Sequence, residues 1–168
     1  MKTLDKHLYF LENISMQREN NRLKRELMSL TKTPPEGIAC YQKDDNLNHL
    51  ITTIMGPKDS PYEGGLFKLD VKIEDSYPFE PPRIKFITPV YHPNIDTSGR
   101  ICMDLLKMPP KGGWNPTLTL ENIFVAVQLL LSHPNPDDPV MPNIANEYRF
   151  EKCEFEKKAR KHTQEYAN

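Results

Sequence analysis

The chain has 168 residues, a length that predicts a single compact domain. Its 22 Lys and Arg residues nearly balance its 23 Asp and Glu residues, whereas a nucleic-acid-binding protein usually has a clear basic excess. No apolar run approaches the roughly 18 residues that would predict a membrane span, and Lys2, Asp5, Lys6 and Glu12 interrupt any signal-peptide core. The composition therefore favours a globular protein that binds neither nucleic acid nor membrane.

The first predicted element is an amphipathic helix from Asn20 to Leu30, which Pro34 and Pro35 would end. Four strand-like runs follow, separated by turns rich in Gly, Pro, Asp and Asn. They lie near Ile38–Gln42, His49–Met55, Leu66–Ile73 and Arg83–Ile87. Because the connections are short, an antiparallel meander is favoured over a parallel sheet, whose crossovers need about a dozen residues or more.

After the strands, Val90 to Pro116 has little periodicity but keeps interspersed apolar residues, so we expect it to be ordered. Long irregular segments inside compact domains are commonly functional. A helix with Thr119 as its N-cap is predicted near Leu120–Leu131, a shorter helix after Pro142 and a last helix near Glu151–Tyr166. Strands followed by helices indicate an α+β fold.

The three cysteines, Cys40, Cys102 and Cys153, are widely spaced and odd in number. This pattern favours free thiols in a reducing compartment, and no pair has the spacing of a zinc site. We therefore expect neither a disulfide framework nor a bound metal.

The stretch from His92 to Asp104 contains the residues with the most evident chemistry. The turn-forming tripeptide His92-Pro93-Asn94 is followed by Cys102, eight residues after Asn94. A thiol can hold an acyl group, and an amide N–H can stabilise charge that develops on a carbonyl oxygen. The structural alternatives are a small buried hydrophobe for Cys102 and an Asx turn for Asn94.

The neighbours of Cys102 favour a functional role for it over Cys40 and Cys153. Arg100 and Asp104 flank it at two-residue spacing, so that in an extended segment the three side chains share a face near charge. His92 could be a general base, but the rigid Pro93 beside it favours a hydrogen-bonding anchor for the turn.

The spacing of His92-Pro93-Asn94 and Cys102 resembles the signature of ubiquitin-conjugating enzymes. Other segments are similar to that family in order and spacing: Gly56-Pro57 with Ser60–Phe67, Tyr77–Pro82, Trp114–Leu118 and Pro134–Pro139. The resemblance covers residues 16–168 as a ubiquitin-conjugating (UBC) domain and leaves Met1–Ser15 as an N-terminal extension. It implies the UBC fold and an enzyme that accepts activated ubiquitin as a thioester and transfers it to a substrate lysine.

On this resemblance, Cys102 would accept the C-terminal glycine of ubiquitin, and Asn94 would support the active-site loop and stabilise the oxyanion. Asp138 would position or deprotonate the incoming lysine, and Asp104 would be an auxiliary acidic group. A structural alternative for Asp138 is a helix N-cap, because it directly precedes Pro139.

The resemblance also implies partners. Ubiquitin would come from an ATP-consuming activating enzyme, so this chain would bind no cofactor itself, and it would act as a monomer in nucleus and cytoplasm. A RING-type ubiquitin ligase would bind the first helix and two loops. The residues of this surface would be Arg22, Arg25, Phe79, Trp114, Asn115, Pro116 and Thr117.

Two features differ from the commonest members of the family. The run LLKMPPKGGW after Asp104 is longer than the usual form and resembles the T-type enzymes, which act with a dedicated ligase in Fanconi-type DNA crosslink repair. Ala39 stands where many members carry a serine for a noncovalent ubiquitin contact, which favours monoubiquitination over chain building. The alternatives are a conjugating enzyme for a ubiquitin-like modifier and a noncatalytic variant that only binds ubiquitin or a ligase.

Overall fold

The structure is a computed structural model that describes residues 22–168. Helix α1 occupies residues 22–32 and buries Leu23, Leu27 and Leu30, the apolar face that the sequence predicts. The predicted start of this helix at Asn20 and the predicted extension Met1–Ser15 lie outside the described residues.

Four strands form one antiparallel sheet in sequence order. Their bounds are Ile38–Lys43 for β1, Asn46–Met55 for β2, Leu66–Lys72 for β3 and Arg83–Phe86 for β4. The predicted meander is therefore confirmed. Strand β2 begins earlier than expected because Asp44 and Asp45 both have positive φ, at 53° and 55°, which gives the tight mirror-image turn that suits a hairpin.

Three helices follow the sheet: α2 (Leu120–Ser132), α3 (Pro142–Phe150) and α4 (Lys152–Tyr166). Thr119 caps α2 in a reciprocal arrangement with Asn122, as the sequence predicts for the N-cap. The buried face of α2 shares one hydrophobic core with the inner face of the sheet. The predicted α+β fold is confirmed, and no helix among residues 22–168 is long and apolar enough to cross a bilayer.

The segment between β4 and α2 is irregular and well packed, as expected. A short 3₁₀ helix at Asp104–Leu106 is the only helix between β4 and α2. Single bridges join Lys85 to Arg100 and Ile95 to Ile101, so the segment folds back on itself against the edge strand β4.

Candidate active site

A tight reversal after Asn94 places Cys102 beside it. The carboxylate of Asp96 accepts hydrogen bonds from the backbone N–H of Ser98 at 2.9 Å and of Arg100 at 3.0 Å. Gly99, with φ at 85°, closes the turn, and a Cβ there would lie 2.0 Å from the carbonyl oxygen of Phe86. The chain therefore returns close to β4, and the backbone N–H of Cys102 donates to the carbonyl of Asn94 at 2.8 Å.

His92 is fully buried at the start of this turn. Its Nε2 bonds the carbonyl of Leu130 on α2 at 2.9 Å, and its Nδ1 accepts the backbone N–H of Asn94, also at 2.9 Å. Burial lowers the pKa of His92 to about 4, so the ring is neutral near pH 7. Both ring nitrogens are engaged, and this geometry supports a turn anchor over a general base.

The side chain of Asn94 connects the turn to the loop of residues 135–138. Its Nδ2 donates to the carbonyls of Asn135 at 2.7 Å and Asp138 at 3.0 Å, and its Oδ1 accepts the backbone N–H of Asn135 at 2.8 Å. Asn94 itself is 0% exposed. Three bonds from one buried amide hold this loop against the cysteine segment, so loop support is the role that the geometry shows directly.

The loop brings Asp138 to Cys102, 36 residues away in the sequence. The thiol of Cys102 donates to Oδ2 of Asp138 at 3.2 Å. The same oxygen accepts a hydrogen bond from Nζ of Lys107 at 2.8 Å. A partly exposed thiol, a carboxylate and an ammonium group therefore meet at one point on the surface.

Lys107 is a site residue that sequence reasoning missed. It lies in the longer run after Asp104, where the carbonyl of Asp104 accepts the backbone N–H groups of Lys107 at 3.0 Å and Gly113 at 2.9 Å. A Cβ at Gly112 would lie 2.2 Å from the Cβ of Lys107, so glycine allows the two sides of this loop to pack in contact. The only sequence signal was the position of a lysine in an inserted loop after the cysteine.

The charges of this cluster act on the thiol in opposite directions. Burial and the hydrogen bond to Asp138 raise the pKa of Cys102, while Lys107 opposes that rise. In return, the hydrogen bonds from Lys107 and Cys102 lower the pKa of Asp138, which is ionised throughout the neutral range. The resting thiol is therefore largely protonated at pH 7 and has to lose its proton before it attacks.

We expect Lys107→Met to slow, and Asp138→Asn to speed, the alkylation of Cys102 by iodoacetamide near neutral pH. The first change removes a charge that lowers the thiol pKa and the second removes one that raises it, so we expect shifts of about two- to fivefold in each direction. Peptide mass spectrometry would follow Cys102, with the exposed Cys153 on α4 as internal reference and Lys107→Arg as the charge-preserving control. Changes of the same sign in both variants would contradict this assignment.

The two charged neighbours of Cys102 have different partners, and Asp104 is linked to the Cys102–Asp138 contact through Lys107. Arg100 pairs with Asp96 at 3.0 Å, and Asp104 is exposed, with Oδ1 at 3.7 Å from Nζ of Lys107. The N-cap alternative for Asp138 is wrong, because α3 begins at Pro142 with Met141 as its N-cap residue. Among residues 22–168, no group of His, Cys, Asp and Glu side chains is arranged to hold a metal ion.

The residues expected to bind a ligase lie on two neighbouring loops and α1. Phe79 is 61% exposed, and Asn115, Pro116 and Thr117 are exposed on the second loop, as is Arg25 on α1. Trp114 is different: it is only 3% exposed, and its Nε1 donates to the carbonyl of Pro78 at 3.0 Å. Trp114 therefore ties the two loops together and does not itself present a surface to a partner.

Comparison with known protein families supports the fold. The family model described as ubiquitin-conjugating enzyme matches residues 22–163. The chain therefore belongs to the ubiquitin-conjugating enzymes, transferases that work through a cysteine thioester.

Within that family, the chain is similar to proteins named ubiquitin-conjugating enzyme E2 T. It is 52% identical to the Homo sapiens protein over 152 residues, which cover 90% of this chain and 77% of the relative. It is 50% identical to the Xenopus laevis protein, with 90% and 79% covered, and 49% identical to the Danio rerio protein, with 90% and 78% covered.

Proposed function

We propose that Cys102 accepts ubiquitin as a thioester and that ubiquitin is then discharged to a protein lysine with the help of Asp138. The observation that carries this proposal is the 3.2 Å contact between Sγ of Cys102 and Oδ2 of Asp138, held by the buried amide of Asn94. A carboxylate beside a partly exposed thiol is well placed to position and deprotonate an incoming lysine.

Loading is an exchange between two thiols. Cys102 gives up its proton to solvent, and its thiolate attacks the carbonyl of ubiquitin's C-terminal glycine on the activating enzyme. The new S–C bond forms, and the thiolate of the activating enzyme leaves and takes up a proton. The exchange is close to thermoneutral, so it needs proximity more than a strong base. ATP is consumed by the activating enzyme, and this chain needs no cofactor of its own.

Discharge has a different requirement, because lysine, with a pKa of about 10.4 in water, must lose a proton before it attacks. Asp138 passes that proton to solvent, the neutral amine forms the C–N bond and releases one more proton, and the C–S bond breaks. Cys102 leaves as a thiolate, which takes up a proton. In the free enzyme the ammonium of Lys107 already lies on Asp138. This contact supports the proposal that the carboxylate holds the ammonium group of the substrate lysine within reach of the sulfur before deprotonation, in place of Lys107.

The amide of Asn94 would contribute in two ways. In the free enzyme both of its N–H groups are used by the carbonyls of Asn135 and Asp138. Its first role is therefore to hold Asp138 in place. Stabilisation of the oxyanion would require one of these bonds to be exchanged for the developing charge during attack.

We further propose a RING-type ubiquitin ligase as partner, and a protein that acts as a monomer in nucleus and cytoplasm. From the similarity of LLKMPPKGGW to the T-type enzymes, we propose that its reaction is monoubiquitination in DNA crosslink repair. The exposed Phe79 and the adjacent exposed loop support a ligase surface. Ala39 is exposed on β1 and offers no hydroxyl for a second ubiquitin, which supports single transfer.

A panel of RING domains would test the ligase proposal. We expect one of them to speed discharge of the loaded chain and to give a product with a single ubiquitin. Phe79→Ala should raise the half-saturating RING concentration about 30-fold, the effect of losing an aromatic anchor of about 2 kcal/mol. Phe150→Ala, which changes an aromatic side chain that is 79% exposed on α3, is the matched control and should behave as wild type. No acceleration by any RING, or equal losses in the two variants, would contradict the proposal.

A further inference from the structure

Glu26 on α1 joins three separate elements through one carboxylate. Its Oε1 accepts a hydrogen bond from Nε of Arg22 at 2.7 Å. Its Oε2 accepts the O–H of Tyr77 at 2.7 Å and the backbone N–H of Leu120, the first residue of α2, at 2.8 Å. The Glu26 side chain is only 10% exposed, so these three donors replace most of its hydration.

Two of the three donor residues, Arg22 and Tyr77, connect Glu26 to the proposed ligase surface. The guanidinium of Arg22 also donates to the carbonyls of Pro116 and, at 2.8 Å, Leu118, which fixes the loop that carries Asn115–Thr117. Tyr77 precedes Pro78 and Phe79, and the Arg22 guanidinium carbon lies 5.6 Å from the centre of its ring. Each of the two loops is therefore held to Glu26, and so to α1, by at most one intervening side chain.

The negative charge of Glu26 is what this junction requires. Arg22 is a cation, and the N–H of Leu120 is one of the amides at a helix N-terminus that lack a partner within their own helix. Thr119 satisfies the N–H of Asn122, and Glu26 satisfies that of Leu120 from another element. A glutamine of the same shape would accept through one oxygen only and would direct its N–H₂ group at a donor, so it would weaken at least one of the three attachments.

We propose that Glu26 is a positioning residue that sets the relative placement of α1, the Phe79 loop and the 115–118 loop, and so determines how tightly the chain binds a RING domain. This inference rests on the proposed ligase function. Glu26 contacts none of the groups at Cys102, so its effect falls on ligase affinity and not on the chemistry of transfer.

The test is a RING titration of single-turnover discharge for wild type and Glu26→Gln. We expect the half-saturating RING concentration to rise about tenfold or more, as for loss of a charge-assisted contact at an anchor. Loading by the activating enzyme, RING-independent discharge and the rate at saturating RING should stay at wild-type values. Glu26→Asp keeps the charge and should restore part of the affinity. Glu121→Gln, which neutralises an exposed carboxylate in the first turn of α2, should have no effect.

Tyr77→Phe provides a second variant that removes one donor without any change of charge, and it should shift half-saturation in the same direction by less. Two results would overturn the inference alone while RING stimulation of wild type stands: unchanged half-saturation in Glu26→Gln, or equal losses in loading and in RING-independent discharge. If no RING domain stimulates the wild type, the proposed ligase function fails and the inference falls with it.

Discussion

The Asn94→Ser variant should discharge ubiquitin to free lysine about 100-fold more slowly than wild type, the scale seen when a polarising amide is removed from an acyl-transfer site. Serine is too short to reach the carbonyls of Asn135 and Asp138, so the loop loses all three of its bonds to the side chain at position 94. Loading should stay near normal, because thiol exchange depends mainly on proximity. Single-turnover discharge of a preloaded, purified thioester measures the difference.

A second variant separates loop support from oxyanion stabilisation. Nη2 of Arg149 on α3 donates to the carbonyl of Pro136 at 2.9 Å and contacts the carboxylate of Asp137. Arg149→Ala should therefore reproduce part of the discharge defect if loop position matters, and none of it if Asn94 acts only on the oxyanion. Equal losses of loading and discharge in Asn94→Ser would count against a role specific to attack by lysine.

The second large effect is expected for Asp138→Asn, which keeps the shape of the side chain and removes its charge. Discharge to lysine near pH 7 should fall about 100-fold, within the range for a positioned general base. Loading should not fall, because loss of this charge favours the Cys102 thiolate. Because Lys107 keeps the pKa of Asp138 low, the carboxylate is ionised across the range and does not itself set the pH profile. The defect should instead shrink as pH rises toward the lysine pKa of about 10.4, where free amine forms without help.

Discharge rates from pH 6.5 to about 9.5, below that lysine pKa, test this expectation. Asp137→Asn is the matched control, since Asp137 is the adjacent exposed carboxylate and pairs with Arg149 instead of the cysteine. A deficit of constant size at every pH would mean that Asp138 only positions the lysine. Equal defects in the two variants would mean that the loop, and not this carboxylate, is what matters.

The helices and strands could be predicted from the sequence because burial of one face places apolar residues at the helical or strand repeat. The apolar face of α2 and its Thr119 cap were both found, and strand bounds differed mainly where the Asp44-Asp45 turn let β2 start early. The residues around Cys102 could be identified as candidates for acyl transfer because turn chemistry and the cysteine are close in the sequence.

The rest of the site depends on contacts that no local pattern specifies. Asp138 was expected near Cys102 only through a family resemblance, since 36 residues separate them. Lys107 was missed because its direction depends on how the inserted loop closes over Gly112. Trp114 was assigned to an exposed surface, but its indole fills the space between two loops. The contacts of Glu26 with Tyr77 and Leu120 likewise join residues that are 51 and 94 positions apart in the sequence.

The central claim, that Cys102 carries ubiquitin as a thioester, is tested most directly by a loading assay with activating enzyme, ATP and either ubiquitin or ubiquitin-like modifiers. We expect wild type to form an adduct with ubiquitin that thiol reductant removes, Cys102→Ser to form an ester that resists the reductant, and Cys102→Ala to form none. Absence of an adduct on wild type, an adduct that persists in Cys102→Ala, or preferential loading of another modifier would contradict the account.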